Sequence, residues 1–117
     1  MTVTDRDDGY PTKEDLETIE KWDFIKKGTI DLIELIEKLW HWPEWGVVKR
    51  WGYRSFDRKR VLKLELHTGG WSGNEGIIAA LQKSMFWSLY WEKSERGGHY
   101  YFEIPYEMLR RKQRNSK

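Results

Sequence analysis

The segment RVLKLELHTGGWSGNEGIIAALQ, residues 60–82, changes its hydrophobic period halfway along and decides the fold. Its first eight residues alternate between apolar and polar, with three leucines on one side, which is typical of an antiparallel strand with one buried face. Gly69 and Gly70 let the chain leave that strand sharply. Helical spacing follows, so the segment predicts a strand, a glycine turn and a helix in close succession.

The start of this helix carries the most distinctive residues of the chain. Ser72 as N-cap and Glu75 at the third helical position form a predicted capping box. The backbone N–H groups of Gly73 and Asn74 then lie in the first turn, where a helix attracts anions. Trp71 stands beside them. Two interpretations stay open: a tight turn with Trp71 folded onto the core, or a loop that contacts an anionic ligand.

In two regions, segments with alternating apolar and polar residues flank a short polar turn, a pattern that predicts β-hairpins. In residues 47–67, the strands VVKRWGYR and RVLKLELH flank the turn SFDRK. In residues 85–104, MFWSLYWE and HYYFEI flank KSERGG, where Gly97 and Gly98 suit positive φ. MFWSLYWE is apolar on both sides, which predicts a covered strand whose outer face meets a partner subunit or lines a ligand cleft.

Helical patterns fill the N-terminal third. Thr12 and Asp15 predict a capping box at the start of the first helix. Gly28 interrupts the pattern, and TIDLIELIEKLWHW, residues 29–42, is the strongest helix, with Pro43 expected to end it. Three tryptophans around that proline are predicted to cover the core: Trp40, Trp42 and Trp45.

The order of elements predicts an α+β fold. Two N-terminal helices precede a β-β-α-β-β unit, whose four strands form a mainly antiparallel sheet with helices on one face. The relative direction of the second and third strands is left open, because a helix connects them. We expect a disordered N-terminus over residues 1–11, a single domain over residues 12–109 and a basic tail over residues 110–117.

Composition excludes several classes of function. The chain of 117 residues has no cysteine, so it forms no disulfide or thiolate zinc site, and its three histidines lack metal-ligand spacing. Neither a phosphate-binding P-loop nor a nucleophile elbow is present. No apolar run approaches the roughly 20 residues of a membrane span. We expect a cytoplasmic protein with no cofactor, no metal and no membrane partner, and a non-enzymatic role is favoured.

Charge is segregated along the chain. Residues 1–23 hold eight acids against three bases, whereas residues 49–63 hold seven bases against Asp57 alone. The basic hairpin predicts binding to nucleic acid or to a host protein. The alternative is that the acidic N-terminal helix packs beside it and neutralises it. The residues assigned to such a docking surface are Arg50, Arg54, Arg58, Lys59 and Arg60.

A second pattern, SERGGHYYF, predicts a ligand site together with the glycine-rich helix start. A planar ring bearing a phosphate suits aromatic stacking combined with guanidinium contacts. The hypothesis requires the two glycine-containing loops to meet in space. The predicted ligand-binding residues are His67, Trp71, Ser72, Gly73, Asn74, Arg96, His99 and Tyr101.

The strings HTGGWSGNEGIIAAL, FW and RGGHYYFEI resemble a pattern in small uncharacterised proteins encoded by bacteriophages and prophages. The resemblance covers His67 to Ile104, about a third of the chain, and brings no established activity with it. What it implies is context: the cytoplasm of a bacterial host and a role in countering host defence.

Three functional hypotheses follow. The first is a non-enzymatic, homo-oligomeric protein that sequesters a small anionic, nucleotide-like ligand. The second is an inhibitor that docks onto nucleic acid or protein through the basic hairpin and tail. The third is a small enzyme that acts on a nucleotide through His99.

Overall fold

The computed structural model describes residues 10–109, which form five α-helices and four β-strands. Residues 1–9 of the N-terminus predicted to be disordered (1–11) and the predicted basic tail (110–117) lie outside the described residues. In chain order the elements are α1 (Lys13–Glu20), α2 (Thr29–Leu39), α3 (Pro43–Gly46), β1 (Val47–Tyr53), β2 (Arg60–His67), α4 (Ser72–Gln82), α5 (Met85–Tyr90), β3 (Trp91–Glu95), β4 (His99–Pro105) and a 3-10 turn (Tyr106–Leu109).

The sheet has the order β1-β2-β4-β3, and every neighbouring pair of strands is antiparallel. The predicted α+β class and the four-stranded antiparallel sheet are therefore confirmed. The predicted order of helices is wrong in two places, because three helices precede β1 and two helices separate β2 from β3. β2 and β4 are the central strands, and their register sets Leu64 opposite Phe102.

The helices cover one face of this sheet. Leu62, Leu64 and Leu66 of β2 and Phe102 and Ile104 of β4 point into a single hydrophobic cluster. Because side chains alternate across a strand, the residues between them point to the opposite face. The main helical contributors to the cluster are Ile33, Ile36, Leu39, Ile77, Leu81 and Phe86.

The N-terminal helices begin as predicted, but α2 ends early. Thr12 and Asp15 form the reciprocal capping box. Gly28 precedes α2 with a φ of 82°, a backbone conformation that favours glycine. α2 stops at Leu39, and Pro43 does not end it but begins α3, where a proline at the first helical position loses no hydrogen bond.

The predicted strand MFWSLYWE is wrong over most of its length, because residues 85–90 form α5. Phe86 and Tyr90, four residues apart, are both buried, whereas Met85 and Leu89 are exposed. This spacing matches one buried side of a helix. A six-residue segment rich in aromatics carries too few turns for its period to be read from sequence.

The second hairpin turns through Gly97 and Gly98, which have φ values of 92° and 83° as predicted. Behind this turn, the buried Thr68 donates its backbone N–H to the carbonyl oxygen of Gly98 at 2.9 Å. A Cβ atom on Gly98 would lie 2.1 Å from the hydroxyl oxygen of Thr68. Glycine is therefore required at this position both by backbone conformation and by space.

Two glycine-to-alanine substitutions test this packing. Gly98→Ala should lower the free energy of unfolding by about 1–3 kcal/mol, because it combines a positive φ with a steric overlap. Gly76→Ala is the matched control, since a Cβ there meets no atom within 4 Å inside α4. It should raise the free energy of unfolding by about 0.5–1 kcal/mol. Urea denaturation measures both, and wild-type stability in Gly98→Ala would contradict the packing.

Candidate functional site

The two glycine-containing loops meet at one end of the sheet. Register places His67, the last residue of β2, directly opposite His99, the first residue of β4. The bond from Thr68 to Gly98 continues this pairing past the strand ends. The structure thus brings together His67, His99, Tyr101 and the turn that carries Arg96.

The two histidine side chains are joined by a hydrogen bond. Nδ1 of His67 lies 2.7 Å from Nδ1 of His99, and Nε2 of His67 lies 3.0 Å from Oε1 of Glu65. The carboxylate can only accept, so Nε2 of His67 carries a proton. With both rings neutral, Nδ1 of His67 then accepts a hydrogen bond from Nδ1–H of His99. His99 is left with an unprotonated Nε2, beside the turn at Gly97.

Glu65 anchors this chain of hydrogen bonds. Its carboxylate also accepts a hydrogen bond from Arg50. Burial disfavours the charged form of Glu65, but hydrogen bonds from Arg50 and His67 outweigh burial and hold the pKa of the carboxyl below its ordinary value. Glu65 is consequently a fixed anion that orients both a guanidinium and an imidazole.

Tyr101 extends the cluster along β4. Its ring lies edge-on to His67, with 6.0 Å between the ring centroids, and its hydroxyl donates to Glu95 at 3.1 Å. Burial and that hydrogen bond raise the pKa of Tyr101 above its ordinary value, so the phenol stays a donor. The ammonium of Lys93 lies 4.9 Å from the ring centroid, which is a cation–π contact.

A cavity of about 360 Å³ opens on the sheet face that the helices leave uncovered. We call this surface, formed by alternate side chains of β2 and β4 with their neighbours, the open face. The cavity is as large as a small-ligand site and carries three cations and three carboxylates. Its polar lining residues are Arg50, Lys63, Glu65, Glu92, Lys93, Tyr101 and Glu103.

Arg96 lies in the exposed turn between β3 and β4. Among residues 10–109 its side chain has no hydrogen bond or ion pair. Lys63, on the open face, is 3.7 Å from Glu103. Among the described residues, this turn therefore presents an unpaired guanidinium, whereas Lys63 is already paired with a carboxylate.

Trp71 belongs to an aromatic stack rather than to the histidine cluster. Its ring is parallel to that of His41, with 3.7 Å between centroids and 8° between planes, and Tyr10 stacks on it at 4.8 Å. A Cβ atom on Gly73 would lie 2.6 Å from the Trp71 ring and 2.7 Å from that of Tyr10. The first turn of α4 is thus covered by aromatic rings of the same chain.

The predicted capping box at α4 is wrong. Ser72 is the first helical residue, and its hydroxyl donates to the hydroxyl of Tyr10 at 3.2 Å. Trp71 occupies the N-cap position because its N–H bonds to the carbonyl oxygen of Thr68, which closes the glycine turn one residue earlier. Glu75 instead accepts a hydrogen bond from the Thr68 hydroxyl at 3.4 Å.

Asn74 joins three parts of the backbone. Its side-chain oxygen accepts a bond from the N–H of His41 at 2.8 Å, and its amide donates to the carbonyl oxygens of His41 and Thr68 at 3.1 and 3.2 Å. Only 2% of Asn74 is exposed. The structure therefore gives Asn74 a role in holding α4 against the loop that follows α2.

The tryptophans around Pro43 do not all cover the core. Trp40 is buried, but Trp42 and Trp45 are largely exposed, so the predicted core lid is wrong for two of three. Trp45 lies over Gly69 and 6.0 Å from the His67 ring. It therefore forms an aromatic border to the histidine cluster.

Most bases of the basic hairpin pair locally. Lys49 pairs with Glu37 of α2 at 2.7 Å, and Arg54 pairs with Asp57 at 2.8 Å. Arg50 pairs with Glu65 within the hairpin. Partial neutralisation thus occurs, but none of these partners belongs to the acidic α1, which packs on α4. The remaining bases are at the turn end of the hairpin: Arg58, Lys59 and Arg60.

Sequence reasoning missed several members of these clusters. Glu65 was detectable, because it lies two residues before His67 on the same side of a strand. Tyr10 fell within the segment predicted to be disordered, and His41 sits 33 residues from its partner Asn74. No local pattern signals a contact of that kind.

Comparison of the chain with protein-family models, curated proteins and solved structures finds no match. The resemblance to phage and prophage proteins stays a prediction. Within the described part of the chain, no group of three or more potential ligands is placed to hold a metal ion. No helix in that part is long and apolar enough to cross a membrane.

Serine and asparagine substitutions at α4 separate the observed contacts from the predicted cap. Ser72→Ala should change the free energy of unfolding by less than about 0.5 kcal/mol, because Ser72 caps no helix. Thr12→Ala, which removes a real cap, should cost about 1 kcal/mol. Asn74→Ala should cost about 1–3 kcal/mol, since it leaves buried backbone groups unpaired. Thermal or urea unfolding of the three variants measures this order; a larger loss for Ser72→Ala than for Thr12→Ala would contradict it.

Acid titration of stability tests the role of Glu65. A carboxyl whose pKa is lowered in the folded state stabilises the fold above its unfolded-state pKa and loses that effect as the pH falls through its folded-state pKa. The stability difference between wild type and Glu65→Gln should therefore shrink between about pH 5 and about pH 3. Urea denaturation at each pH measures the difference. A difference that stays constant over this range would show that Glu65 is not held ionised by its neighbours.

Proposed function

We propose that the protein binds a small anionic, nucleotide-like ligand on its open face, beside the paired His67 and His99. One observation carries the proposal: the hydrogen-bonded histidine pair lies next to a cavity of about 360 Å³ that contains both cations and carboxylates. Glu65 and Tyr101 contact His67 and also line the cavity. The histidine pair and the cavity therefore form one continuous surface.

The mixed charge of the cavity favours a ligand with mixed groups. Arg50, Lys63 and Lys93 offer donors to phosphate oxygens, and Arg96, in the turn between β3 and β4, adds a guanidinium that is unpaired among residues 10–109. The carboxylates offer acceptors to hydroxyl groups, which a ribose supplies. Tyr101 and the exposed Trp45 offer aromatic surface to a base. A plain inorganic anion would use only the cations.

The proposal keeps four of the eight residues predicted from sequence: His67, Arg96, His99 and Tyr101. Trp71 and Ser72 instead contact Tyr10, and Asn74 is used by the backbone. These residues support the loop behind the histidine pair. In the context that the phage resemblance implies, the protein would act by sequestering a host nucleotide signal.

One observation favours an enzymatic alternative through His99. The hydrogen bonds that join His99 to His67 and His67 to Glu65 leave Nε2 of His99 as an acceptor. A general base needs such an unprotonated, oriented nitrogen. Product formation from a bound nucleotide, abolished in His99→Ala, would support turnover. Binding without product would support sequestration.

A thermal-shift screen of the full chain tests the proposal. The compounds are cyclic dinucleotides, cyclic trinucleotides, ADP-ribose derivatives and plain nucleotides. A ligand at 100 times its Kd stabilises the folded state by about 2.7 kcal/mol, which raises Tm by about 10 °C in a domain of this size. Arg96→Ala and Lys63→Met should each reduce that shift by weakening phosphate contacts.

Lys26→Ala serves as the matched control, because Lys26 is exposed and lies in the loop between α1 and α2. It should leave the ligand-induced shift unchanged, as should Ser72→Ala. A screen in which no compound raises Tm would contradict the proposal. So would a shift that survives both Arg96→Ala and Lys63→Met.

A further inference from the structure

The turn end of the first hairpin exposes three aromatic side chains. We call residues 51–60 together with Tyr106 the hairpin tip. Trp51 is 53% exposed, Tyr53 66% and Phe56 82%. Large rings are costly to leave in water, and a contiguous set of them on a surface marks a binding site. None of the three belongs to the hydrophobic core, although Trp51 borders a cavity that Ile30 and Ile33 of α2 also line.

The same residues carry a concentrated positive charge. Residues 53–60, YRSFDRKR, hold four bases against Asp57 alone. Arg54 pairs with Asp57, whereas Arg58 and Arg60 form no ion pair with any carboxylate in the described part of the chain. Arg58 also has a φ of 60°, which is uncommon for a residue with a side chain. The hairpin tip therefore retains cations that the fold does not neutralise.

Guanidinium groups and aromatic rings alternate across this surface. The Arg60 guanidinium carbon lies 4.6 Å from the Trp51 ring centroid and 4.7 Å from that of Tyr106. Arg54 lies 4.9 Å from the Phe56 ring centroid. Register pairs Tyr53 with Arg60 and Trp51 with Leu62, so these side chains share one face of the hairpin. Arg54 donates hydrogen bonds to Asp57, whereas the guanidinium of Arg60 has no hydrogen bond or ion pair among the described residues.

We propose that the hairpin tip binds single-stranded nucleic acid. Unpaired bases stack on exposed aromatic rings, while arginines contact the phosphates between them. Double-stranded nucleic acid covers its base faces by internal stacking, so it would use the cations but leave Phe56 and Tyr53 without partners. The combination of unneutralised charge with free ring faces fits a single strand best.

This surface is separate from the open-face cavity. Trp51 and Arg60 lie on the same side of the strands as Leu62, whereas Arg50 and Lys63 of the cavity lie on the opposite side. Along β2, Arg60 is about 23 Å from His67. Substitutions at the tip therefore leave the side chains of the cavity in place. The inference goes beyond the proposed function and does not depend on it.

Fluorescence anisotropy with a labelled oligothymidylate of about 12 nucleotides tests the inference on the full chain. Phe56→Ala should weaken binding by about 5-fold or more, the effect of losing one stacked base. The double variant Arg58→Ala, Arg60→Ala should reduce the slope of log affinity against log salt by about 1.4, measured between about 50 and 200 mM salt. Phe56 and the two arginines are exposed, so their removal leaves the core intact.

Matched controls are Ile25→Ala and Lys26→Ala, an exposed apolar residue and an exposed base in another loop. Both should bind as wild type does. Absence of binding at protein concentrations up to about 100 µM would overturn the inference and leave a protein as the partner of the tip. The inference would also be overturned if the protein bound a duplex of the same length more tightly than the single strand and Phe56→Ala left that affinity unchanged. An equal loss in Arg96→Ala would move the site to the other end of the sheet.

Discussion

The antiparallel pairing of β2 with β4 determines the rest of the structure. These central strands are far apart in sequence, and their register sets Leu64 against Phe102 on one face and Glu65 against Tyr101 on the other. A shift of one residue would turn every side chain of a strand to the opposite face. Burial of the leucines, phenylalanine and isoleucine beneath the helices therefore selects the register that also opposes His67 to His99.

The same pairing divides the molecule into surfaces with different chemistry. The covered face is apolar and holds the helices. The open face carries a hydrogen-bonded chain in which Arg50, Glu65, His67 and His99 each fix the orientation of the next. Charges there are held by partners before any ligand arrives, which lowers the cost of ordering side chains on binding. At the far end of β1 and β2, the turn of the hairpin leaves its rings and arginines exposed.

Much of this architecture could be predicted from the sequence because its signals are local. Alternation revealed β1, β2 and β4, the pair Thr12 and Asp15 revealed the first cap, and two glycines revealed the second turn. The errors arose where a distant contact overrides a local pattern. α5 is a helix because Phe86 and Tyr90 pack into the core, and Ser72 lost its predicted cap because the turn at Thr68 closes one residue earlier.

The candidate site follows the same rule. His67, His99 and Tyr101 could be grouped from strand alternation, once the two hairpins were assumed to be neighbours. Their hydrogen bond could not, because it depends on register between strands joined through α4, α5 and β3. The stack of Tyr10, Trp71 and His41 joins three separate segments, and its members carry no common sequence signal.

The central claim is that the fold pairs His67 with His99 through their Nδ1 atoms. Nitrogen NMR of the imidazole rings tests it directly, because the chain has only three histidines and each ring nitrogen reports whether it is protonated. At about pH 8, where an ordinary imidazole is neutral, the account predicts a proton on Nε2 of His67 and on Nδ1 of His99. Protons on Nε2 of both rings would leave no donor between the Nδ1 atoms and would contradict the pairing.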